Sequence, residues 1–278
     1  MPSESNNQRA GQAPFDAIAT DYDAAFTQTP VGRMQRDIVW KLSAPLISGG
    51  LALELNCGTG EDAIWLAAQG YQVLATDISP AMTAIAREKI EKAGLKAVIH
   101  TQTAGIDSIA TNQTDERYDL IFSNFGGINC LDPKSLQRLG QALPRLLKPG
   151  GRLIAVIMGR FCWWETIYFL TKGRFRAAFR RFSRKAVSAQ LDDSTTIDTW
   201  YYNPNELTTI LLSIQLLQYT ISVHPVGFYL PPSYLNPFFE KRPRLLNFLN
   251  RLEQQRPTYC SPFGADHYLL HIQSKITQ

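Results

Sequence analysis

The run Glu54-Leu55-Asn56-Cys57-Gly58-Thr59-Gly60 constrains this chain most, because it closes the short apolar stretch Leu51–Leu55 and opens onto Ala63, Ile64, Leu66 and Ala67 at helical spacing. It reads as strand, tight turn, helix. Small residues in such a turn let a ligand approach the backbone, and the helix that follows directs free N–H groups at it. Plain strand-to-helix packing also explains a glycine-rich turn, so the next strand matters. Gln72–Thr76 ends at Asp77, and Pro80 stands where a helix to about Lys92 starts. Ala97–Thr101, Tyr118–Ser123 and Arg152–Met158 read as further strands, with a helix over Leu136–Leu147 before the Lys148-Pro149-Gly150-Gly151 turn. Strands alternating with helices imply a parallel sheet with right-handed crossovers.

The 278 residues allow one elaborated domain or two, and 45% apolar against 19% charged residues excludes intrinsic disorder. No uninterrupted apolar run reaches about 18 residues, and Met1–Pro14 is polar where a signal peptide needs an apolar stretch, which disfavours secretion and membrane spanning. Cys57, Cys130, Cys162 and Cys260 form no Cys-x-x-Cys pair, so neither a zinc site nor a disulfide framework is expected, and a reducing cytoplasm fits. With 28 Lys+Arg against 24 Asp+Glu, the charge of +4 is too small for general nucleic-acid affinity.

Residues 1–14 read as a disordered arm, 15–50 as a helical lid and 51–158 as the core. In the lid, Phe15, Ile18, Ala19 and Tyr22 fall at helical spacing and a second amphipathic stretch runs from about Gly32 to Leu46, so two helices are expected. After Met158 the rhythm stops, and 159–204 reads as a basic, aromatic cap insertion. The rest of the core, 205–278, resumes with a helix over Asn205–Leu217, a strand over Tyr219–His224, a proline-rich insertion over Pro225–Pro243, a helix over Leu245–Gln255 and a strand over His267–Ile272.

Gly58-Thr59-Gly60-Glu61-Asp62-Ala63 satisfies the dinucleotide pattern G-x-G-x-x-G/A, with Asp77 in reach of a ribose. A pyrophosphate there would meet Glu54, Glu61 and Asp62, and like charges about 4 Å apart repel by roughly 4 kcal/mol at intermediate dielectric. S-adenosylmethionine carries no phosphate; its ammonium suits a carboxylate near Glu54 and its ribose diol suits Asp77.

At these residues the chain resembles the class I S-adenosylmethionine-dependent methyltransferases, whose first motif reads roughly E/D-x-G-x-G-x-G. Glu54, Asn56, Gly58 and Gly60 fill it here, with Asn56 in place of the first glycine, a mild change because asparagine tolerates positive φ. Cys57 lies within the motif and is expected in the cofactor-binding turn, its thiol packing locally and not acting as a nucleophile. Thr76-Asp77-Ile78-Ser79-Pro80-Ala81-Met82 is similar to the second motif, in which the acid binds the ribose; Ile78 and Met82 are either adenine contacts or core. The resemblance implies a Rossmann-like seven-stranded sheet, parallel with one antiparallel strand, with helices on both faces. It also implies that Tyr22 and Arg33 hold the methionine carboxylate, unless they are a lid-core tyrosine and a solvated arginine. Thr103-Ala104-Gly105-Ile106 lacks the acid that many relatives place beside adenine, so backbone near Ala104 is expected to serve, with Asp107 an uncertain substitute.

Ligands of such sheets lie beyond the carboxyl ends of the parallel strands. Asn124 and Phe125 stand at one such end, in a loop without the Asn/Asp-Pro-Pro-aromatic motif of enzymes that methylate nucleobases. Topology places His224 at the end of strand six and His267 at the start of strand seven, where an imidazole can accept a proton from a hydroxyl acceptor or merely support a strand start beside Asp266. Lys172–Lys185 carries arginines interleaved with Phe175, Phe179 and Phe182 at spacings of four and three; it reads as a helix lying on an anionic membrane or meeting an acidic acceptor, or as a cap helix that buries its rings. The expected activity is methyl transfer to oxygen, nitrogen or carbon of a small or lipophilic acceptor, with S-adenosylhomocysteine as product and no metal. A nicotinamide-dinucleotide oxidoreductase and a catalytically silent cofactor-binding scaffold are the competing readings.

Overall fold

A seven-stranded sheet in the order β3-β2-β1-β4-β5-β9-β8 forms the centre of the computed structural model, which describes residues 13–112, 116–191, 195–257 and 261–275. The strands are β1 (Gly50–Leu55), β2 (Tyr71–Asp77), β3 (Ile99–Thr103), β4 (Tyr118–Ser123), β5 (Leu147–Met158), β8 (Tyr219–Val226) and β9 (His267–Ser274). A separate antiparallel hairpin pairs β6 (Val187–Gln190) with β7 (Thr196–Thr199). The first five strands of the sheet pair in parallel, and β9 runs antiparallel to both β5 and β8. Strand order reverses between β1 and β4, so their carboxyl ends diverge and leave a crevice there.

Ten helices occur among the described residues: α1 (Pro30–Ser43), α2 (Glu61–Ala68), α3 (Pro80–Lys92), α4 (Ile106–Thr111), α5 (Pro133–Leu146), α6 (Trp163–Thr171), α7 (Phe175–Ala178), α8 (Pro204–Leu212), α9 (Asn236–Phe239) and α10 (Pro243–Gln255). Several begin at a capping side chain followed by proline. Thr29 accepts from the Gly32 N–H, Ser79 from Met82, Asp132 from Ser135 and Asn203 from Glu206, each supplying one of the acceptors that a helix start lacks. One core lies under α5 and α8, where Leu136, Leu139, Leu143 and Leu146 line one face of α5; the other lies under α1, α2, α3 and α10.

The lid differs from expectation. Asp16–Ile18 is a 3₁₀ turn and Asp23–Thr27 a single π-helical turn, so among the described residues only α1 is an α-helix before β1. Residues 1–12 of the expected arm, and Cys260, lie outside the described residues; Cys57, Cys130 and Cys162 are free thiols.

Lys172–Lys185 is not one amphipathic helix. It consists of the four-residue α7 and a 3₁₀ turn at Arg180–Phe182, and its polarity is inverted: Phe175, Phe179 and Phe182 are exposed while Arg181 is buried. The cause is Glu165 on α6, which is buried beneath the segment and binds Arg180 at 2.8 Å and Arg181 at 2.9 Å. Arg181 also reaches Asp266 at 2.7 Å. Two buried carboxylates draw the guanidinium groups inward because an uncompensated buried charge costs more than exposed aromatic area.

Candidate cofactor and acceptor site

A cavity of about 520 Å³ opens at the β1/β4 crevice. Its floor is the turn after β1, where Asn56 has φ +53°, Gly58 φ +53° and Gly60 φ +87°. The Asn56 side chain earns its place by donating to the Asn124 carbonyl at 2.7 Å and accepting from the Ser123 hydroxyl at 2.6 Å, which ties the β1 and β4 loops together. A Cβ on Gly58 would make only an ordinary contact with Tyr22, at 3.9 Å, whereas one on Gly60 would press on Ala86 of α3 at 3.1 Å. Gly60 therefore serves helix packing, and Gly58 is the position at which a ligand can lie against the backbone.

Asp77 ends β2 on the cavity wall. One carboxylate oxygen accepts from the Gly58 N–H and the other from the Ser79 N–H, both at 2.9 Å, which leaves each a further acceptor site. Burial raises its pKa, against the pull of those two backbone bonds. Ile78 lines the cavity while 58% exposed, so it is not core; Met82 also lines it yet is fully buried. Ala104 and Gly105 complete this end, and the Ala104 N–H donates to the Asp77 carbonyl at 2.8 Å. Asp107 reaches the lining with its carboxylate already engaged by Arg138 and Ser135.

Cys57 lines the floor with its thiol raised far above the ordinary value, by burial first and then by Glu54 and Asp77, as suits a packing residue. Glu54 lies behind the lining. Burial, with the charge of Asp62, pushes its carboxyl well up, and its Oε2 is without a partner. Tyr22 faces the cavity, its hydroxyl pushed up to about 12 chiefly by burial, so it is a hydrogen-bond donor at neutral pH.

Arg33 is exposed and outside the lining; Arg36 stands there in its place. Arg36 is buried, pairs with Asp62, lies over the Phe125 ring at 5.3 Å and keeps Nε unpartnered. Asp62 also accepts from Trp40 at 2.6 Å and Asn124 at 3.1 Å. Arg33, Asp37 and Lys41 form an exposed polar i, i+4, i+8 stripe, and Arg36, three residues from Arg33, borders it, so spacing alone does not choose between the two arginines.

The two histidines do not reach the cavity. His224 lines a separate small pocket with Lys41 and Glu253. His267 lies one ring back, edge-on to Phe125 at 5.5 Å, with Nδ1 3.2 Å from Asp266. His224 is set aside because its side chain leaves the sheet on the α1 and α10 side, and His267 because Phe125 covers it. The lining includes Asn124 and Phe125, as expected from the sequence; Leu131, Met158, Leu191, Ile197 and Trp200, which complete the far end beside Phe125, were not expected. Asp198 and Thr199 of β7 join it, so the hairpin closes this end. Among the described residues no three His, Cys, Asp or Glu side chains are grouped to hold a metal.

This sheet, with its single antiparallel strand and its ligand crevice at the β1/β4 turn, is the fold of the class I S-adenosylmethionine-dependent methyltransferases. Residues 52–151 match a family described as a methyltransferase domain. The chain is 30% identical over 155 residues to a demethylmenaquinone methyltransferase of Clavibacter sepedonicus, covering 53% of this chain and 58% of the relative. It is 27% identical over 169 residues to a ubiquinone biosynthesis O-methyltransferase of Xanthomonas oryzae pv. oryzae, covering 58% and 65%. The chain thus spans under two thirds of either relative. A solved DhpI–SAH complex superposes with a TM-score of 0.59 at 17% identity, covering 95% of this chain and 94% of that one, a likeness of fold. The domain match supports methyl transfer and gives the dinucleotide reading no support.

Proposed function

We propose that the protein transfers a methyl group from S-adenosylmethionine to oxygen, nitrogen or carbon of a small lipophilic acceptor. One observation carries this reading: a single cavity joins a polar end at the β1 turn to an apolar, aromatic end under the β6–β7 hairpin. The donor set fits the cofactor. Asp77 has acceptor sites free for a ribose diol, and Tyr22 and the unpartnered Arg36 Nε suit a carboxylate. Gly58 leaves room at the backbone, and Ile78 offers an apolar face to a purine. When bound, the cofactor supplies an activated methyl sulfonium. Phe125, Met158 and Trp200 would position the acceptor, whose attacking atom takes the methyl group as the sulfonium becomes a neutral thioether. The acceptor's proton passes to solvent, so a well-positioned in-line displacement needs no dedicated protein base. His267 acts through Phe125 as a positioning residue. The demethylmenaquinone and ubiquinone-biosynthesis names of the relatives support a lipophilic ring as acceptor.

Calorimetric titration with S-adenosylhomocysteine, NAD and NADP tests this reading. Saturable heat with the first alone is expected; binding of NAD or NADP without S-adenosylhomocysteine would refute it.

A further inference from the structure

The cap presents an aromatic face that the cofactor site does not use. On α6, Trp163, Ile167 and Leu170 are exposed at i, i+4 and i+7, which places them in one stripe. At its start, Phe161 packs against Trp163 at 4.9 Å, Phe263 at 4.8 Å and Phe182 at 5.9 Å, and Phe182 meets Phe179 at 6.2 Å. Phe161, Trp163, Phe179, Phe182 and Phe263 are therefore one contiguous cluster of rings, in which Phe263 is 64% exposed, and Phe175 at the start of the adjoining α7 is 66% exposed. Soluble surfaces rarely expose large connected apolar patches without an interaction role.

Within its own segment the exposed charge has one sign. From Gly159 to Leu191 the only acid is Glu165, which is buried. Arg180 and Arg181 are consumed by that carboxylate. Lys172, Arg174, Arg176, Arg184 and Lys185 remain exposed, and none forms an ion pair among the described residues. Cations thus interleave with the rings. The centres of protein–protein interfaces are depleted of charge, whereas at a bilayer the rings enter at headgroup depth while the cations meet lipid phosphates.

We propose that the α6–α7 face docks on the surface of an anionic lipid bilayer. Among the described residues no helix is long and apolar enough to cross a membrane, so the contact is peripheral. The inference rests on this surface alone; if the acceptor is lipophilic as proposed above, docking also brings Met158, three residues before Phe161, close to the bilayer that holds it.

The full chain is sedimented with phosphatidylcholine vesicles and with vesicles in which a third of the lipid is phosphatidylglycerol. Partitioning onto the anionic vesicles should exceed that onto the neutral ones about tenfold or more, and should collapse between about 0.1 and 1 M salt as the Debye length shrinks from about 10 to 3 Å. The triple variant Lys172→Glu/Arg174→Glu/Arg176→Glu and the double variant Ile167→Ser/Phe175→Ser should each lose about tenfold or more, with melting temperature and S-adenosylhomocysteine affinity unchanged. No preference of the wild type for anionic vesicles overturns the proposal, as does wild-type partitioning in either variant. A dimer that forms through this face and shows no vesicle binding overturns it in favour of a second copy. Because the vesicle readout involves no turnover, failure of the methyltransfer reading leaves it intact.

Discussion

Replacing Asp77 by alanine separates cofactor binding from folding. Its two oxygens each hold one backbone N–H at 2.9 Å, from Gly58 and from Ser79, and the acceptor sites left over face the cavity. A hydrogen bond to a charged group contributes about 1.5–3 kcal/mol, so loss of the ribose acceptor should raise the S-adenosylhomocysteine dissociation constant about 10- to 150-fold. A cost in stability accompanies it. The Gly58 N–H borders the cavity and can turn to water, but Ser79 is buried, and one orphaned amide costs about 1–3 kcal/mol, or about 2–4 °C of melting temperature per kcal/mol. The pH dependence has a defined sign. Burial raises the Asp77 pKa above its usual 3.8, and only the ionised carboxylate accepts from both hydroxyls, so wild-type affinity should fall with pH through that raised value while the alanine variant shows no such step. Calorimetry across pH, with circular-dichroism melts, reads both effects. A folded Asp77→Ala protein that binds within about twofold of wild type, or keeps the pH step, refutes the ribose assignment.

On α1, Arg33→Ala should leave S-adenosylhomocysteine affinity unchanged, whereas Arg36→Ala should weaken it and cost up to about 3–5 kcal/mol in urea unfolding because Asp62 stays buried without its cation. Equal affinities in the two variants would remove Arg36 from the site. In the cap, burial alone would raise the Asp266 and Glu165 carboxyls, but His267 and Arg181 hold the first, and Arg181 and Arg180 the second, below their ordinary 3.8 and 4.5. Depressed folded values give stability that is complete above the unfolded ones and is lost as pH falls through the folded ones, so the contribution of these two carboxylates to the melting temperature should be complete above about pH 5 and be lost progressively below about 4. Arg181→Met should flatten that acid limb, and an unaltered limb would place the acid sensitivity elsewhere.

Local pattern determined much of this protein. The turn after β1, the acid ending β2 and the proline after Ser79 are short-range features, each within a few residues of the backbone it shapes, so strand, turn and helix could be placed and Asn56 assigned a positive φ. Alternation of strands and helices fixed a parallel sheet, and with it the end at which a ligand lies. The choice between Arg33 and Arg36 was not written in the chain, since residues three apart are neighbours on a helix; the packing of α1 on the core buries one and leaves the other in solvent.

What only the tertiary structure decided depends on partners distant in sequence. Whether Phe179 or Arg181 is buried is not a property of their own segment, because a basic, aromatic stretch can turn either face inward; Glu165 and Asp266, 16 and 85 residues from Arg181, make the choice by requiring a counter-charge. The β6–β7 hairpin has strands of four residues, too short for alternation to announce, and it reaches the cavity through the bond from the Trp200 N–H to the Asn129 carbonyl at 2.7 Å. His267 lies at the predicted edge of the sheet, yet Phe125, held at φ +46°, comes between it and the cavity. Sequence locates a residue along the chain and on a face; what stands between it and a ligand is set by packing among segments whose order in space local pattern does not contain.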